Sequence, residues 1–567
     1  VSANHNQPTP SFPSLFAADP LAEPLWPRWI GEARYPRLRG HLEVMGRHAG
    51  LAEPLSARAD REPPRLISHE LGGERASRIE YHPDYRRLEE LSYGAGIVAI
   101  KYEAGLLGAD RGVRHLVGFA GGYYFAQTES GMFCPICMTD GVGWVLERHG
   151  GAAPAAKEAL ERVASRDLAR LWRGAMFLTE RAGGSDVGSN SVEAIRDGEG
   201  WRLRGHKWFC SNVDAEAALV LARMPEGGAG TRGLGLFLLL RDRPGENHRR
   251  IRIERLKEKL GTRSMATGEV ILEDAAATLI AGAGEGFKVM AEMINLSRTY
   301  NAVASVAVGR RAILEALAYG EERRAFGRRL RELPLWRATM ADLMAEQIGA
   351  FCGVFALVRA LDRSECGDPA AARLVRILTP MAKACTAKQA VWSVSEAMEA
   401  VGGNGYVEWS PLPRLLRDAQ VLPIWEGTTN ILSLDLLRAI ARERADEALF
   451  AAISAALTAA PASAGAIVSA IEGTLAGLSE ALRATAAMPE EVQQRASRGL
   501  CERLWRVFCA ATLVAEAGGA AEVAAPLLAA ARRLIARPFT TAPAGAITPT
   551  RALIDDEEAL LAAGLAR

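Results

Sequence analysis

The stretch Pro423-Ile424-Trp425-Glu426-Gly427-Thr428-Thr429-Asn430-Ile431 decides how the rest of the chain is read. An acidic residue closes an apolar run and is followed by glycine and two hydroxyl side chains. A carboxylate at the rim of an apolar turn is desolvated, which disfavours its charged form and makes it a stronger base once ionised. The plain alternative is a helix start, with Thr429 or Asn430 as the cap and Glu426 facing water. Both readings stand on this stretch alone, and the rest of the chain decides between them.

Working outward, the flanking segments have a helical period. Phe287, Met290, Met293 and Ile294, then Ala302, Val303, Val306 and Ile313, repeat at helical spacing, and Leu343 to Leu361 and Leu374 to Val401 continue it. Residues 281–445 are therefore expected to form a helical bundle. In 173–280 the period falls to two. Val192 and Ala194, then Trp201 and Leu203, alternate with polar neighbours, and Ala218 to Ala222, Leu234 to Leu240, Ile251 to Leu256 and Glu269 to Leu272 are short apolar runs. This pattern predicts an antiparallel barrel or sandwich. Inside it, Gly228-x-Gly230-x-x-Gly233 has dinucleotide-fingerprint spacing but leads into a strand. No helix N-terminus would face a pyrophosphate, so a hairpin loop is expected. Residues 1–172 predict a loosely structured, proline-broken arm to about residue 40 and then a helical domain, with Leu42, Val44, Met45 and Leu51 on one face and Leu88, Leu91, Ile97 and Ile100 on another. Residues 446–567 are Ala-rich and predict an additional helical domain with breaks at Pro461, Pro489, Pro526 and Pro538. The expected fold class is mainly α with a central antiparallel β domain.

Composition excludes some functions. The 567 residues carry a formal net charge of +1, so no global field draws nucleic acid or a membrane surface. Only eight of the 68 basic residues are Lys, and Arg supplies planar, bidentate donors for phosphate or carboxylate. The last segment has ten Arg, no Lys and thirteen acidic residues, a formal charge of −3. Arg495, Arg498, Arg503 and Arg506 recur there at helical spacing, with a solvated face shared with Glu502 as the plain reading. No eighteen consecutive apolar residues occur and Val1 to Pro13 lacks a leader pattern, so neither a membrane span nor secretion is expected. Eight scattered cysteines suit a reducing cytoplasm. Cys134 and Cys137 lie among Met132, Phe133, Pro135, Ile136 and Met138, and no second pair stands at zinc spacing. A buried structural pair is expected there, and no metal.

Further stretches carry chemistry. Met176 to Ser189 reads Met-Phe-Leu-Thr-Glu-Arg-Ala-Gly-Gly-Ser-Asp-Val-Gly-Ser. Its small residues let backbone N–H groups approach a flat ligand, and Thr179 and Ser185 add hydroxyls; a Gly-rich linker is the alternative. Within Gly200 to Asn212, Phe209 and Ser211 are two apart on a strand and share a face. One can cover a ring while the other hydrogen-bonds it; core packing is the alternative for Trp208 and Phe209 and is expected for at least one of them. In Glu322-Arg323-Arg324-Ala325-Phe326-Gly327, a phosphate-seeking Arg323 precedes Phe326 by three positions on a helical face, or else Gly327 caps a helix end. From Glu399 to Tyr406, Gly402 and Gly403 permit close backbone approach.

In this order, over about residues 85–440, the stretches resemble the signatures of the acyl-CoA dehydrogenase family. Met176 to Ser189 resembles Thr-Glu-Pro-x-Ala-Gly-Ser-Asp, with Arg181 in place of Pro. The second stretch resembles Gly-x-Lys-x-Trp-Ile-Thr-Asn, with Phe209 at the Trp position and Ser211 at the Thr position. The third resembles Arg-x-x-Phe-Gly. Asn6-Gln7-Pro8-x-Pro10, Cys134-Pro135-Ile136 and the C-terminal extension resemble the AidB-type branch, which is linked to the bacterial response to DNA alkylation.

The resemblance implies FAD as cofactor. Phe177, Leu178, Thr179, Phe209 and Ser211 would line the flavin, Gly184 and Ser185 would approach FAD, and Ile424, Thr428 and Asn430 would contact it. Arg323, Phe326, Gly402 and Gly403 would reach the FAD of a neighbouring subunit in a homotetramer, and Ser185 and Arg298 would meet substrate. Some family members hold their base just before a helical Arg; Ser297 stands there, before Arg298, which leaves Glu426 as the candidate base. The implied reaction is α,β-dehydrogenation of an acyl-CoA thioester, with the carbonyl held by the flavin ribose and the Glu426 backbone N–H. One alternative is a DNA-associated alkylation-protection protein that binds double-stranded DNA and keeps weak or vestigial dehydrogenase activity. Another is flavin oxidase or repair chemistry on a non-CoA substrate.

Overall fold

Nearly continuous apolar strands need cover on both faces, and the middle of the chain supplies it by closing on itself. The computed structural model describes residues 7–103, 111–241 and 247–536, with Leu560 and Gly564; Asn6 and Pro538 lie outside them. Contacts divide the chain into two units: Val1–Gly50, Leu107–Thr128 and Asn301–Arg567 form one, Leu51–Leu106 and Glu129–Tyr300 the other.

The second unit begins with a hairpin, β1 (Arg65–His69) and β2 (Arg75–Glu80). Seven strands follow: β3 (Gly174–Phe177), β4 (Glu193–Asp197), β5 (Gly200–Ser211), β6 (Ala217–Arg223), β7 (Leu234–Leu240), β8 (Ile251–Leu256) and β9 (Thr267–Ala281). The order is β3-β6-β4-β5-β9-β7, β8 adds to β9, and the pairing of β6 with β7 closes a barrel. Every residue of β7 is buried, as are all of β6 but Arg223. The interior packs Val192, Ala194, Leu203, Val220, Phe237, Val270 and Leu272, with Trp201 edge-on to Phe237 at 5.5 Å. The sheet is mixed and not wholly antiparallel: β3 runs parallel to β6, and β4 meets β6 in parallel at Glu193 and Arg223. The cause is connectivity, since the β4–β5 hairpin intervenes and brings the chain back to the end from which β3 started. The segment Gly228 to Gly233 is a loop between β6 and β7, as expected. A Cβ on Gly233 would sit 2.0 Å from the Gly228 carbonyl oxygen, so this glycine serves a backbone crossing inside the loop.

Two expectations for the N-terminal region are corrected. The arm is packed, because its prolines space out apolar anchors: Leu15, Phe16, Leu21, Trp26 and Trp29 are all buried. The stretch from Leu88 to Ile100 is not one helix. It turns from Pro83–Glu89 into a π-helical Glu90–Gly94 and ends in a 3-10 turn at Ala99–Lys101, broken where Gly96 takes φ +85°.

In the first unit an aromatic core forms around Trp26, Trp29, Tyr123, Phe351 and Phe355, with Trp26 Nε1 donating to Tyr124 Oη at 2.9 Å. Its helices are Asn301 onward from Gly286–Glu322, then Pro334–Glu365, Pro369–Val401, Leu412–Ala419 and Thr429–Glu443. The additional C-terminal helices Ala445–Thr458, Gly465–Ala486, Glu490–Gly519 and Ala524–Ala536 follow. Two helices, Pro334–Glu365 and Ala462–Ala486, are long and apolar enough to cross a membrane by length and composition. The first is mostly buried in the bundle core. The second buries the stripe Ile467, Ile471, Leu478 and Leu482.

Candidate functional site

In the barrel unit the first two signature stretches are tied together. Phe177 ends β3 buried, while Leu178 and Thr179 are half-buried. Glu180 turns inward, where its carboxylate accepts from Lys207 Nζ at 2.7 Å, from Ser191 N at 2.6 Å and Oγ at 2.8 Å, and from Val192 N at 3.2 Å. Burial works to raise the Glu180 carboxyl, but the Lys207 charge and these donors outweigh it and hold it below the usual carboxylate range. Burial pulls Lys207 toward neutrality against the same partner. With both side chains nearly inaccessible and 2.7 Å apart, the charged pair is the consistent state. The Trp208 N–H donates to the Thr179 carbonyl at 2.9 Å, and the Leu178 carbonyl accepts from Asn190 Nδ2 at 2.8 Å and from Lys207 Nζ at 3.4 Å.

Cys210 is buried in the barrel while Phe209 is 55% exposed and Ser211 half-open, so the last two do share an outward face. Core packing fits neither Trp208 nor Phe209. The Trp208 ring lies under Lys257 Nζ at 3.4 Å, with the Arg181 guanidinium at 4.9 Å and that of Arg255 at 5.8 Å. Arg181, the departure from the family signature, is thus placed by its indole neighbour. Gly184 packs under Thr179, whose Oγ1 would be 2.7 Å from an added Cβ, and Ser185 is exposed beside it. Arg298 donates to Asn295 Oδ1 at 3.0 Å, and Ser297 Oγ accepts from Cys137 Sγ at 3.3 Å. Cys137 is buried and Cys134 half-buried.

In the other unit Glu426 lies in a turn and not in a helix. Its φ is +55° and that of Gly427 +100°. A left-handed non-glycine residue stores about 1–3 kcal/mol of strain and persists only where its surroundings hold it. Two buried side chains do so: Asn301 Nδ2 donates to the Leu422 carbonyl at 3.0 Å, and Lys383 Nζ to the Gly427 carbonyl at 2.6 Å. The cap of helix Thr429–Glu443 is Thr428, not Thr429 or Asn430, and its side chain makes no capping bond. Thr428 and Asn430 are exposed, and Ile424 is 61% exposed. Trp425 Nε1 and Thr429 Oγ1 are buried without a hydrogen-bond partner among the described residues.

Arg323 and Phe326 do not share a helical face. The helix stops at Glu322, and Arg324–Ala325 pairs with Arg328–Arg329 across a Phe326–Gly327 turn whose residues both have positive φ. Such a turn matches strand twist, and it leaves the Phe326 ring 92% exposed. Gly402 ends helix Pro369–Val401 at φ +78°, and a Cβ there or at Gly403 would meet open space. Glu399 is exposed. Of the C-terminal arginines, Arg495 and Arg498 are exposed, whereas Arg506 is bound to Glu346 and to the Leu534 carbonyl. His115, Asp362 and Glu365 bring ligand-type atoms within 4.8 Å of one another. Arg114 already forks onto Glu365, and Asp362 accepts the backbone N–H groups of His115 and Leu116.

Among family models, the AidB N-terminal domain matches residues 6–168, the acyl-CoA dehydrogenase middle domain 175–275 and the acyl-CoA dehydrogenase C-terminal domain 284–441. Acyl-CoA dehydrogenase family member 11 of Caenorhabditis elegans is 38% identical over 77% of this chain and 72% of its own length. The putative acyl-CoA dehydrogenase AidB of Escherichia coli is 35% identical over 71% and 74%. The crystal structure of Caenorhabditis elegans ACDH-11 in complex with C11-CoA superposes with a TM-score of 0.90 at 32% identity, covering 96% of this chain and 94% of that one. The chain belongs to the acyl-CoA dehydrogenase family of FAD-dependent oxidoreductases, in its AidB branch. Each unit by itself has residues that suit FAD: the barrel unit an exposed Phe209 ring, the bundle unit open backbone at Gly402–Gly403 and buried polar atoms on Trp425 and Thr429 without a partner among the described residues. Asn301, Lys383 and Asn190 were not found by reading the sequence.

Proposed function

We propose that the protein dehydrogenates an acyl-CoA thioester across its α,β bond, with Glu426 as the base. The observation that carries this reading is the strained turn, in which an acidic side chain sits at positive φ and is gripped from both ends. The Glu426 carboxylate takes the α-proton while its own N–H donates to the thioester carbonyl, where negative charge develops. FAD, when bound, supplies the two-electron acceptor for the hydride that leaves the β-carbon, and a double bond forms between the two carbons. Phe177, Leu178, Thr179, Phe209 and Ser211 would line the flavin, with Gly184 and Ser185 along it. Ile424, Thr428 and Asn430 would hold FAD, and Ser185 and Arg298 would orient the substrate.

Because the nematode relative is complexed with C11-CoA, medium-length acyl groups are the first to test. The test is an anaerobic titration of the FAD-loaded protein with straight and branched acyl-CoAs, following oxidised-flavin absorbance. Glu426→Gln should keep FAD bound and lose about 10²–10⁴-fold in reduction rate. Full reduction of that variant by an acyl-CoA would sink the assignment.

The same reading makes the protein a homo-oligomer, a tetramer by family resemblance. An apolar ring as open as Phe326, at a hairpin tip beside Arg323, suits a second copy and its FAD, toward which Gly402 and Gly403 also present open backbone. Phe326→Ala should lower the assembled fraction in sedimentation. A reducing, cytoplasmic setting fits eight cysteines that form no disulfide among the described residues.

A further inference from the structure

Leu422 and Gly427 bracket Glu426, and each gives its carbonyl to a side chain from a different helix. Asn301 comes from helix Gly286–Glu322, is 4% exposed, and reaches Leu422 at 3.0 Å. Lys383 comes from helix Pro369–Val401, is fully buried, and reaches Gly427 at 2.6 Å. Asn301 is itself fixed, since its carbonyl and Oδ1 accept from Ser305 Oγ at 2.8 and 3.4 Å. Burying an ammonium is costly, and a lysine retained in such a place must make strong bonds there. One such bond goes to the peptide carbonyl next to the strained glutamate. The positive φ of Glu426 and Gly427 is the backbone state that these two bonds enforce.

We propose that Lys383 and Asn301 are positioning residues for Glu426. They clamp the 422–427 turn from its two ends and so fix both the carboxylate and the backbone N–H of Glu426 in the orientation the reaction uses. Neither residue touches the reacting atoms. Their effect is on near-attack geometry, where displacement by about 1 Å costs about 10²-fold in rate. This proposal rests on the reading of Glu426 as base.

The test uses the FAD-loaded full chain. Lys383→Met, Asn301→Ala and Glu426→Gln, with the Lys383→Met/Glu426→Gln double variant, are each reduced anaerobically by C4, C12 and branched C5 acyl-CoAs. Reduction rate at saturation, half-saturating concentration, FAD content, melting temperature and the α-deuterium isotope effect are read for each. Lys383→Met should slow reduction about 10²-fold and Asn301→Ala about tenfold, with FAD content and half-saturation within about twofold of the unaltered protein. The isotope effect should rise, because proton removal becomes slower relative to other steps. In the Glu426→Gln background Lys383→Met should add much less than about 10²-fold, since the clamp then positions only the backbone N–H and no base. If Glu426→Gln is inactive while both clamp variants reduce at the unaltered rate, the proposal is overturned and the base assignment stands. If Glu426→Gln is active, or no acyl-CoA reduces the unaltered protein, the base reading falls and the proposal with it. If Lys383→Met loses FAD or unfolds, Asn301→Ala decides alone: a normal rate and isotope effect overturn the clamp. A drop in melting temperature without a change in isotope effect assigns both residues a structural role only.

Discussion

Two buried lysines hold two functional loops by different means. In the barrel unit Lys207 pairs with a carboxylate, Glu180, and that pair anchors the backbone of Leu178 and Thr179 to β5. In the bundle unit Lys383 donates to a peptide carbonyl, that of Gly427, which does not titrate. A charge pair is strong but leaves a buried ion behind when one member is lost. A lysine on a carbonyl holds one backbone atom in place, and its loss frees that atom to move. The first arrangement suits a surface that a cofactor lies against. The second suits a turn that must present one side chain at one angle.

The comparison breaks most visibly at Lys207. Lys207→Met leaves Glu180 charged and 4% exposed, which should cost the barrel about 3–5 kcal/mol and release FAD. Denaturant unfolding followed by flavin fluorescence would read both effects. Adding Glu180→Gln should recover most of the loss, because the orphaned charge is then gone. A single variant as stable as the unaltered protein would show that the pair is not the anchor.

Acid sharpens the contrast next. Glu180 is depressed in the folded state, so its contribution is present above the unfolded carboxylate value and is lost as pH falls through the lower folded one. The bundle unit has its own acid-sensitive contact. Burial works to raise Glu365, but His115 and Arg114 bring it down to about 2. That displacement is worth about 3 kcal/mol at neutral pH, draining between about pH 4.5 and 2. Glu365→Gln should therefore flatten the acid limb of a stability–pH curve for the bundle, and Glu180→Gln that of the barrel. An unchanged acid limb in both would remove these carboxylates as the source.

How much of this was legible in the sequence follows the same physics. The runs Leu234 to Leu240 and Ile251 to Leu256 are strands over those residues, because Gly233 and Pro244 mark the ends of the first and alternation of apolar and charged residues marks the second. Helix Pro369–Val401 was readable from its period and from the glycine after it. The hairpin β1–β2 was missed although Gly72-Gly73 between two short runs marks it, since the strands are half-exposed and carry little alternation. Arg323 and Phe326 misled because helical spacing says nothing about where a helix stops. The clamp residues left the faintest trace. Lys383 is one cation in the otherwise apolar run Met381 to Ala384, a pattern that a snorkelling surface lysine also makes. Only the fold shows that its head group is inside, and no local pattern could have linked Asn301 to a turn 121 positions away.

The smallest effect is expected where the barrel is redundant. The Leu178 carbonyl has two donors, Asn190 Nδ2 at 2.8 Å and Lys207 Nζ at 3.4 Å, whereas Oδ1 of the buried Asn190 has no partner among the described residues. Asn190→Ala therefore removes one good bond and one unsatisfied acceptor together. The carbonyl is not orphaned, because Lys207 remains, so the net cost should be about 1 kcal/mol, with FAD retained. The equivalent trim in the bundle, Asn301→Ala, should cost similar stability but a further tenfold in flavin reduction. Equal stability losses with unequal rates would mean that the two units differ in what their hydrogen bonds are for, and not in how strong they are. If Asn190→Ala slowed reduction as much as Asn301→Ala, the flavin-lining backbone would be as finely held as the base, and the distinction between the two lysines would lose its functional meaning.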